Sequence, residues 1–384
     1  MRPDRCPCPP SASSCNFGAS GPFFSAIPYP CDGTVNTLGG ADTRCYRQIS
    51  FCGATKRVIE FPEHYKEEYC QETTRGNPVP SVAHQPPRTA RANGIDICYE
   101  IFGERDAEPM ILIMGLGAQM VLWDDEFCER LAARGFRVIR FDNRDIGQSS
   151  QLTGGKRLGA FELLKLRMLK IPVAAPYKLR DMAEDTVALM DVLGIRSAHL
   201  VGASMGGMIA QEIAIIFPER VRSLTSIMST TGNPRVPPPT REAAAMLMAP
   251  PPKTRDEYIA RFAQTWKILR VGSFPEDEAL DRARAERTYQ RGLNPAGVGR
   301  QLRAILASGS RKERLRNVKA PTLVIHGTVD PLVHPMGGQD TAASIPGAKL
   351  LMIEGMGHAI PMPMWQQIIS AIDTHAHGAA KKAA

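Results

Sequence analysis

Gly202-Ala203-Ser204-Met205-Gly206 is the stretch on which the reading of this chain turns. It follows the apolar run His199-Leu200-Val201 and opens an apolar-periodic segment, which places Ser204 on a sharp turn between a strand and a helix. Such a turn holds the serine in a strained backbone that lifts its hydroxyl clear, so the residues two positions away on either side must carry no Cβ. Gly202 and Gly206 meet that demand, and Gly207 widens the gap. G-x-S-x-G alone arises by chance in many chains, so its setting matters. Asp330 and His358 lie downstream, each just after a predicted strand, in the order Ser, Asp, His that such a turn expects.

Outward from this turn, strand and helix patterns alternate. Arg88–Ala92 and Ile95–Ile101 flank Asn93-Gly94, a dipeptide suited to the two positive φ angles of a tight hairpin. A buried strand over Met110–Met114 ends at Gly115-Leu116-Gly117, Trp123–Arg134 reads as a helix closed by Gly135, and Phe136–Phe141 is the next strand. Leu179, Ala183, Val187 and Met190 mark one apolar helix face before Gly194. A helix over 206–217 and a strand over 221–229 follow Ser204. The alternation requires right-handed crossovers, hence an α/β fold with a mostly parallel sheet covered by helices on both faces.

Residues 231–308 interrupt that rhythm. Pro237-Pro238-Pro239 and Pro250-Pro251-Pro252 bracket short helical patches, and 255–268 and 276–291 read as amphipathic helices with no strand between them. This segment is expected to be a helical cap inserted between two sheet strands. Strands over 321–326 and 349–353 and a helix over 363–375 complete a domain spanning 86–377, and 378–384 reads as a flexible tail.

Residues 1–85 differ in kind. They hold seven of the nine cysteines and much Pro, Gly, Ser and Thr without periodicity. Cys6-x-Cys8 lacks zinc-knuckle spacing, so the segment reads as a disordered or non-essential extension, or as sequence upstream of a start near Val79 or Val82. No apolar run reaches the roughly 20 residues that span a bilayer, and no secretory leader opens the chain, so a cytoplasmic protein is expected. The net charge of +8 is concentrated in 152–180 and 311–319, where basic residues are interleaved with leucines rather than stacking aromatics. That pattern reads as solvated helix faces rather than nucleic-acid binding. The Lys and Leu residues of 158–171 suggest an amphipathic helix, read first as a lid over a pocket and second as a membrane-surface contact.

From Arg88 to about His377 the sequence resembles the α/β-hydrolase superfamily. Gly202-Ala203-Ser204-Met205-Gly206-Gly207 resembles its nucleophile elbow, and Asp142-Asn143-Arg144-Asp145-Ile146-Gly147-Gln148-Ser149 its D-x-R-x-x-G-x-S segment. His326-Gly327-Thr328-Val329-Asp330-Pro331 resembles the acid-bearing turn, and Gly355-Met356-Gly357-His358 the histidine loop. Within the superfamily the chain is most similar to the group that includes aclacinomycin methylesterase. It departs from many relatives at Met114-Gly115, where His-Gly is usual, and at Asp145, where glycine is usual.

The resemblance implies a hydrolase with Ser204 as nucleophile, His358 as base and Asp330 holding the imidazole, without metal or organic cofactor. Backbone N–H groups of Leu116 and Met205 would bind the oxyanion. His326 and His334 compete with His358, and Asp340 with Asp330. His326 ends a strand, His334 is too near Asp330, and Asp340 falls in a predicted helix. Arg144 and Asp145 read as structural or pocket-shaping. Met246, Met248, Met356, Met362 and Met364 read as core filler, with only those near the cap or His358 as candidate pocket lining. The function expected is hydrolysis of a small or medium apolar carboxylic ester. Carbon–carbon bond hydrolysis, perhydrolysis, acyl transfer and a non-catalytic receptor on the same fold remain alternatives.

Overall fold

The computed structural model describes residues 82–154, 162, 173–271, 274 and 278–383. They contain one eight-stranded sheet in the order β1-β2-β4-β3-β5-β6-β7-β8. Its strands are β1 (His84–Ala92), β2 (Ile95–Phe102), β3 (Glu108–Ile113), β4 (Phe136–Phe141), β5 (Ala198–Ala203), β6 (Val221–Ile227), β7 (Thr322–Gly327) and β8 (Lys349–Ile353). β1, β2 and β4 pair antiparallel, and every pairing from β4 to β8 is parallel. Most of the expectation for residues 1–85, and nearly all of that for 158–171, lies outside the described residues.

Two-residue periodicity explains why helices cover both faces. On β3, Ile111 and Ile113 point into one core, while Met110 and Leu112 point into the other. The first core is closed by α2 (Leu179–Val192) and α3 (Met205–Ile216), the second by α1 (Asp125–Ala132) and α10 (Trp365–Ala383). Strand order reverses at β3, which lies between β4 and β5, so the crevice of the sheet opens beyond the C-terminal ends of β3 and β5. Ser204 immediately follows β5.

Two boundaries differ from the sequence reading. The first hairpin begins at His84 rather than Arg88, inside the segment read as an extension, with an irregularity between Gln85 and Arg88. Pro86-Pro87 reads as a breaker in sequence, yet β1 is a sheet edge and proline's missing N–H costs little there. At the other end, α10 runs to Ala383 through the expected tail. Gly378 costs only about 1 kcal/mol in a helix otherwise rich in alanine, too little to stop it.

Between β6 and β7 lie α4 (Arg241–Met248), α5 (Arg255–Arg270), α6 (Glu278–Gln290), α7 (Pro295–Ser308) and the short α8 (Lys312–Leu315), with no strand among the described residues, and α9 (Met336–Ser344) joins β7 to β8. Ion pairs join the inserted helices to the body, beside the apolar contact of Ala304 with the first core. Arg284, Arg287 and Arg291, at helical spacings of three and four, reach Asp124, Asp125 and Asp142, and Arg300 of α7 reaches Asp145. The inward stripe of α6 is therefore arginine, which corrects the reading of 276–291 as an ordinary amphipathic helix. Among the described residues no helix is long and apolar enough to cross a membrane.

Candidate active site

The serine turn is built by sterics. Ser204 adopts φ 55° and ψ −118°, a left-handed conformation unusual for a residue with a side chain. A Cβ on Gly202 would lie 2.3 Å from the Gly206 carbonyl oxygen, and one on Gly206 would lie 2.0 Å from that of Ile113. Neither position tolerates any other residue without moving backbone. The turn is tied to the sheet by the Ser204 N–H, which donates to the Ile227 carbonyl at 2.9 Å.

Around this turn the structure brings Ser204, His358 and Asp330 together. The Ser204 hydroxyl donates to His358 Nε2 at 2.9 Å, and His358 Nδ1–H donates to Asp330 Oδ2 at 2.7 Å. Asp330 follows β7 and His358 follows β8, so adjacent strands deliver the two groups side by side. The other Asp330 oxygen accepts the N–H groups of Leu332 and Val333, at 2.9 and 2.8 Å. Burial pushes the Asp330 carboxyl upward, but His358 and His326 outweigh it and hold the carboxyl below the usual carboxylate range. It is therefore an anion at neutral pH, able to orient the imidazole and stabilise its cation.

The competing residues have other partners. Asp340 accepts from Thr231, Asn233 and Lys312. His326 Nε2–H donates to the Val333 carbonyl at 2.8 Å and stands 3.4 Å from Asp330. His334 Nδ1 accepts the Met336 N–H. Arg144 forms a buried pair with Asp185. The D-x-R-x-x-G-x-S segment is a structural knot: Asp142 accepts the N–H groups of Met120 and Gln148, and the Ser149 hydroxyl donates to the Asp142 carbonyl at 2.6 Å.

Gly115-Leu116-Gly117 crosses the nucleophile closely, since a Cβ on Gly115 would lie 3.1 Å from that of Ser204. Neither the Leu116 nor the Met205 N–H has a hydrogen-bond acceptor among the described residues. Among the described residues no group of three or more His, Cys, Asp and Glu is arranged to hold a metal ion.

A cavity of about 90 Å³ adjoins the site, touching Ala203 before the serine and Ala359 after the histidine. Its body walls include Met114, Trp123, Phe127, Met228 and Trp365, and the inserted helices contribute Trp266 and Leu280. Trp123 stacks on Phe127, whose edge meets Trp365 at 5.7 Å between ring centroids. Arg270 and Arg284 also border the cavity, but Asp281 and Asp124 pair with them, so no described residue of the lining carries a free charge. Met362, close to His358 in the chain, lines this cavity; Met248 of the inserted helices is exposed and is not core filler; Met356 and Met364 are buried. The aromatic walls come from three stretches of the chain, Trp123 with Phe127, Trp266, and Trp365, which share no signal with one another in the sequence.

The α/β-hydrolase fold family model matches residues 108–363, and the chain belongs to this family. It is 30% identical over 320 residues to the rhodomycin D methylesterases of Streptomyces sp. (strain C5) and Streptomyces peucetius, an alignment covering 77% of this chain and 99% of each relative. A putative carbamate hydrolase of Azorhizobium caulinodans is 28% identical, over 70% of this chain and 91% of its own. Among solved structures, a meta-cleavage product hydrolase from Pseudomonas fluorescens aligns with a TM-score of 0.61 at 22% identity, covering 76% of this chain and 98% of that one. That likeness shows the shared fold. Within the family, this chain is a carboxylic ester hydrolase of the methylesterase-like group.

Proposed function

We propose that the enzyme cleaves a small or medium apolar carboxylic ester, a methyl ester in the first instance, through an acyl-enzyme on Ser204. The observation that carries this reading is the continuous relay from Ser204 Oγ through His358 to Asp330, 2.9 and 2.7 Å long, beside an apolar cavity. The methyl ester is suggested by the names of the Streptomyces relatives.

His358 Nε2 takes the hydroxyl proton as Ser204 Oγ bonds to the ester carbonyl carbon. The resulting oxyanion accepts hydrogen bonds from the Leu116 and Met205 N–H groups. As the carbon–oxygen bond to the alcohol breaks, His358 gives that proton to the leaving oxygen. Water, deprotonated by His358, then attacks the acyl carbon, the bond to Ser204 breaks, and the serine recovers its proton. Asp330 stays ionised throughout and stabilises the imidazolium. The apolar cavity holds one side of the ester, and residues 231–308 act as the cap that completes its wall. Residues 1–81 are not needed for catalysis, since the first strand begins at His84, and the substrate is a free small molecule.

A panel of p-nitrophenyl esters of rising chain length, run beside methyl esters, tests the substrate class. Short apolar acyl groups should give the highest kcat/KM. Ser204→Ala should lose about 10⁴-fold or more in kcat while remaining folded. Retention of about a tenth of the activity would remove the serine from the mechanism.

A further inference from the structure

Gln301 lies on α7, outside every motif that the sequence displays, and is fully buried. Its carboxamide bridges two loops. Oε1 accepts the Gly117 N–H at 2.9 Å, and Nε2 donates to the Arg144 carbonyl at 2.9 Å. One turn earlier on the same helix, Val298 packs over Gly117, where a Cβ would lie 3.1 Å from its methyl group. Helix α7 is itself seated on the body. Asn294 caps its N-terminus and donates to the Asp145 carbonyl, and Arg300 pairs with the Asp145 carboxylate.

These contacts sort the N–H groups of the loop over the nucleophile. The Ala118 N–H turns back to the Gly115 carbonyl at 3.3 Å, and the Gly117 N–H is taken by Gln301. The Leu116 N–H is left without an acceptor among the described residues. We infer that Gln301 is a positioning residue for ester hydrolysis: it claims the Gly117 N–H and fixes the loop so that the Leu116 N–H faces the oxyanion.

A carboxamide suits this task because it accepts on one atom and donates on the other. A carboxylate has no hydrogen for the Arg144 carbonyl, and an aliphatic side chain serves neither loop. The proposal rests on the reading of Ser204 as nucleophile and Leu116 as oxyanion donor. It adds that a residue of the inserted helices sets the donor's position, so these helices contribute to the chemical step as well as to the pocket wall.

Gln301→Leu removes both hydrogen bonds at similar volume. In the folded full-length variant, kcat for p-nitrophenyl acetate should fall about 10- to 100-fold, the range in which a displaced oxyanion donor is felt. KM should change less than about threefold. Affinity for a trifluoromethyl ketone, whose serine adduct carries the oxyanion, should fall by the same factor as kcat. Gln301→Glu keeps an acceptor for the Gly117 N–H but sets an oxygen against the Arg144 carbonyl, and should give an intermediate loss. It also provides the test should the leucine variant fail to fold. A folded variant with kcat and ketone affinity within about twofold of wild type overturns the inference, as does a loss confined to KM. Labelling of Ser204 by a fluorophosphonate separates the two levels of the argument. If wild-type Ser204 is not labelled, the nucleophile reading falls and takes this inference with it. If Ser204 is labelled and the Gln301 variants are indifferent, only the inference falls.

Discussion

Arg300→Leu should unseat α7 from the body at a cost that the geometry bounds. Asp145 is fully buried and its carboxylate takes a two-pronged pair from Arg300, at 2.9 and 2.8 Å. Removing one partner of a buried ion pair costs about 3–5 kcal/mol, mostly because the remaining charge is stranded. Here the stranded carboxylate would keep the Tyr177 hydroxyl and the Leu152 N–H, both at 2.7 Å, which places the cost near the lower end. For a folded unit of this size, roughly 3 kcal/mol corresponds to a melting-temperature drop of about 6–9 °C. Differential scanning calorimetry at neutral pH reads it directly. Adding Asp145→Asn to Arg300→Leu removes the stranded charge and should recover a substantial part of the loss. A single variant that melts within about 1 °C of wild type would refute the argument that this pair holds the inserted helices down.

Asp330→Asn should lower kcat by about 10³- to 10⁴-fold with little change in KM, since the amide cannot stabilise the imidazolium or fix its tautomer; a loss below tenfold would point to another acid. Because the native Asp330 carboxyl is held below its ordinary value, the stability it contributes is present above the unfolded carboxylate range. That stability is lost only as pH falls through the lower folded value, so acid unfolding of wild type should begin at lower pH than that of the asparagine variant. Leu116→Pro should cost about 3–4 kcal/mol in transition-state stabilisation, as for one oxyanion donor. A crystal structure of the variant showing an undisturbed loop beside normal turnover would place that donor elsewhere. Deleting residues 1–81 should leave kcat/KM unchanged, because the first strand begins at His84; aggregation or lost activity would make the segment part of the catalytic unit.

The parts of this enzyme that are legible in its sequence are those imposed by local sterics and periodicity. Gly202 and Gly206 are dictated by carbonyl oxygens 2.3 and 2.0 Å from where a Cβ would sit, so the serine turn announces itself in five residues. Asn93 and Gly94 both take positive φ, 48° and 76°, as the hairpin reading requires. The alternating strands are visible because both faces of β3 and β5 are buried. What was not legible depends on residues distant in the chain. Nothing near Asp145 reveals that its partner is Arg300, although the glycine usual at this position in relatives agrees with its φ of 73°. The arginine stripe of α6 resembles a solvated face until Asp124, Asp125 and Asp142 are placed opposite it. Gln301 carries no motif, and its two partners lie 184 and 157 residues away.

Acyl transfer through Ser204 requires that this serine carry the acyl group during turnover. Rapid mixing of the full-length enzyme with p-nitrophenyl acetate, acid quench and peptide mass spectrometry tests it most directly. A burst of p-nitrophenol approaching one equivalent per enzyme and an added acetyl group on the peptide bearing Ser204 are expected, both absent from Ser204→Ala. An acetyl group on another residue that tracks turnover, or a Ser204→Ala enzyme that still bursts, would contradict it.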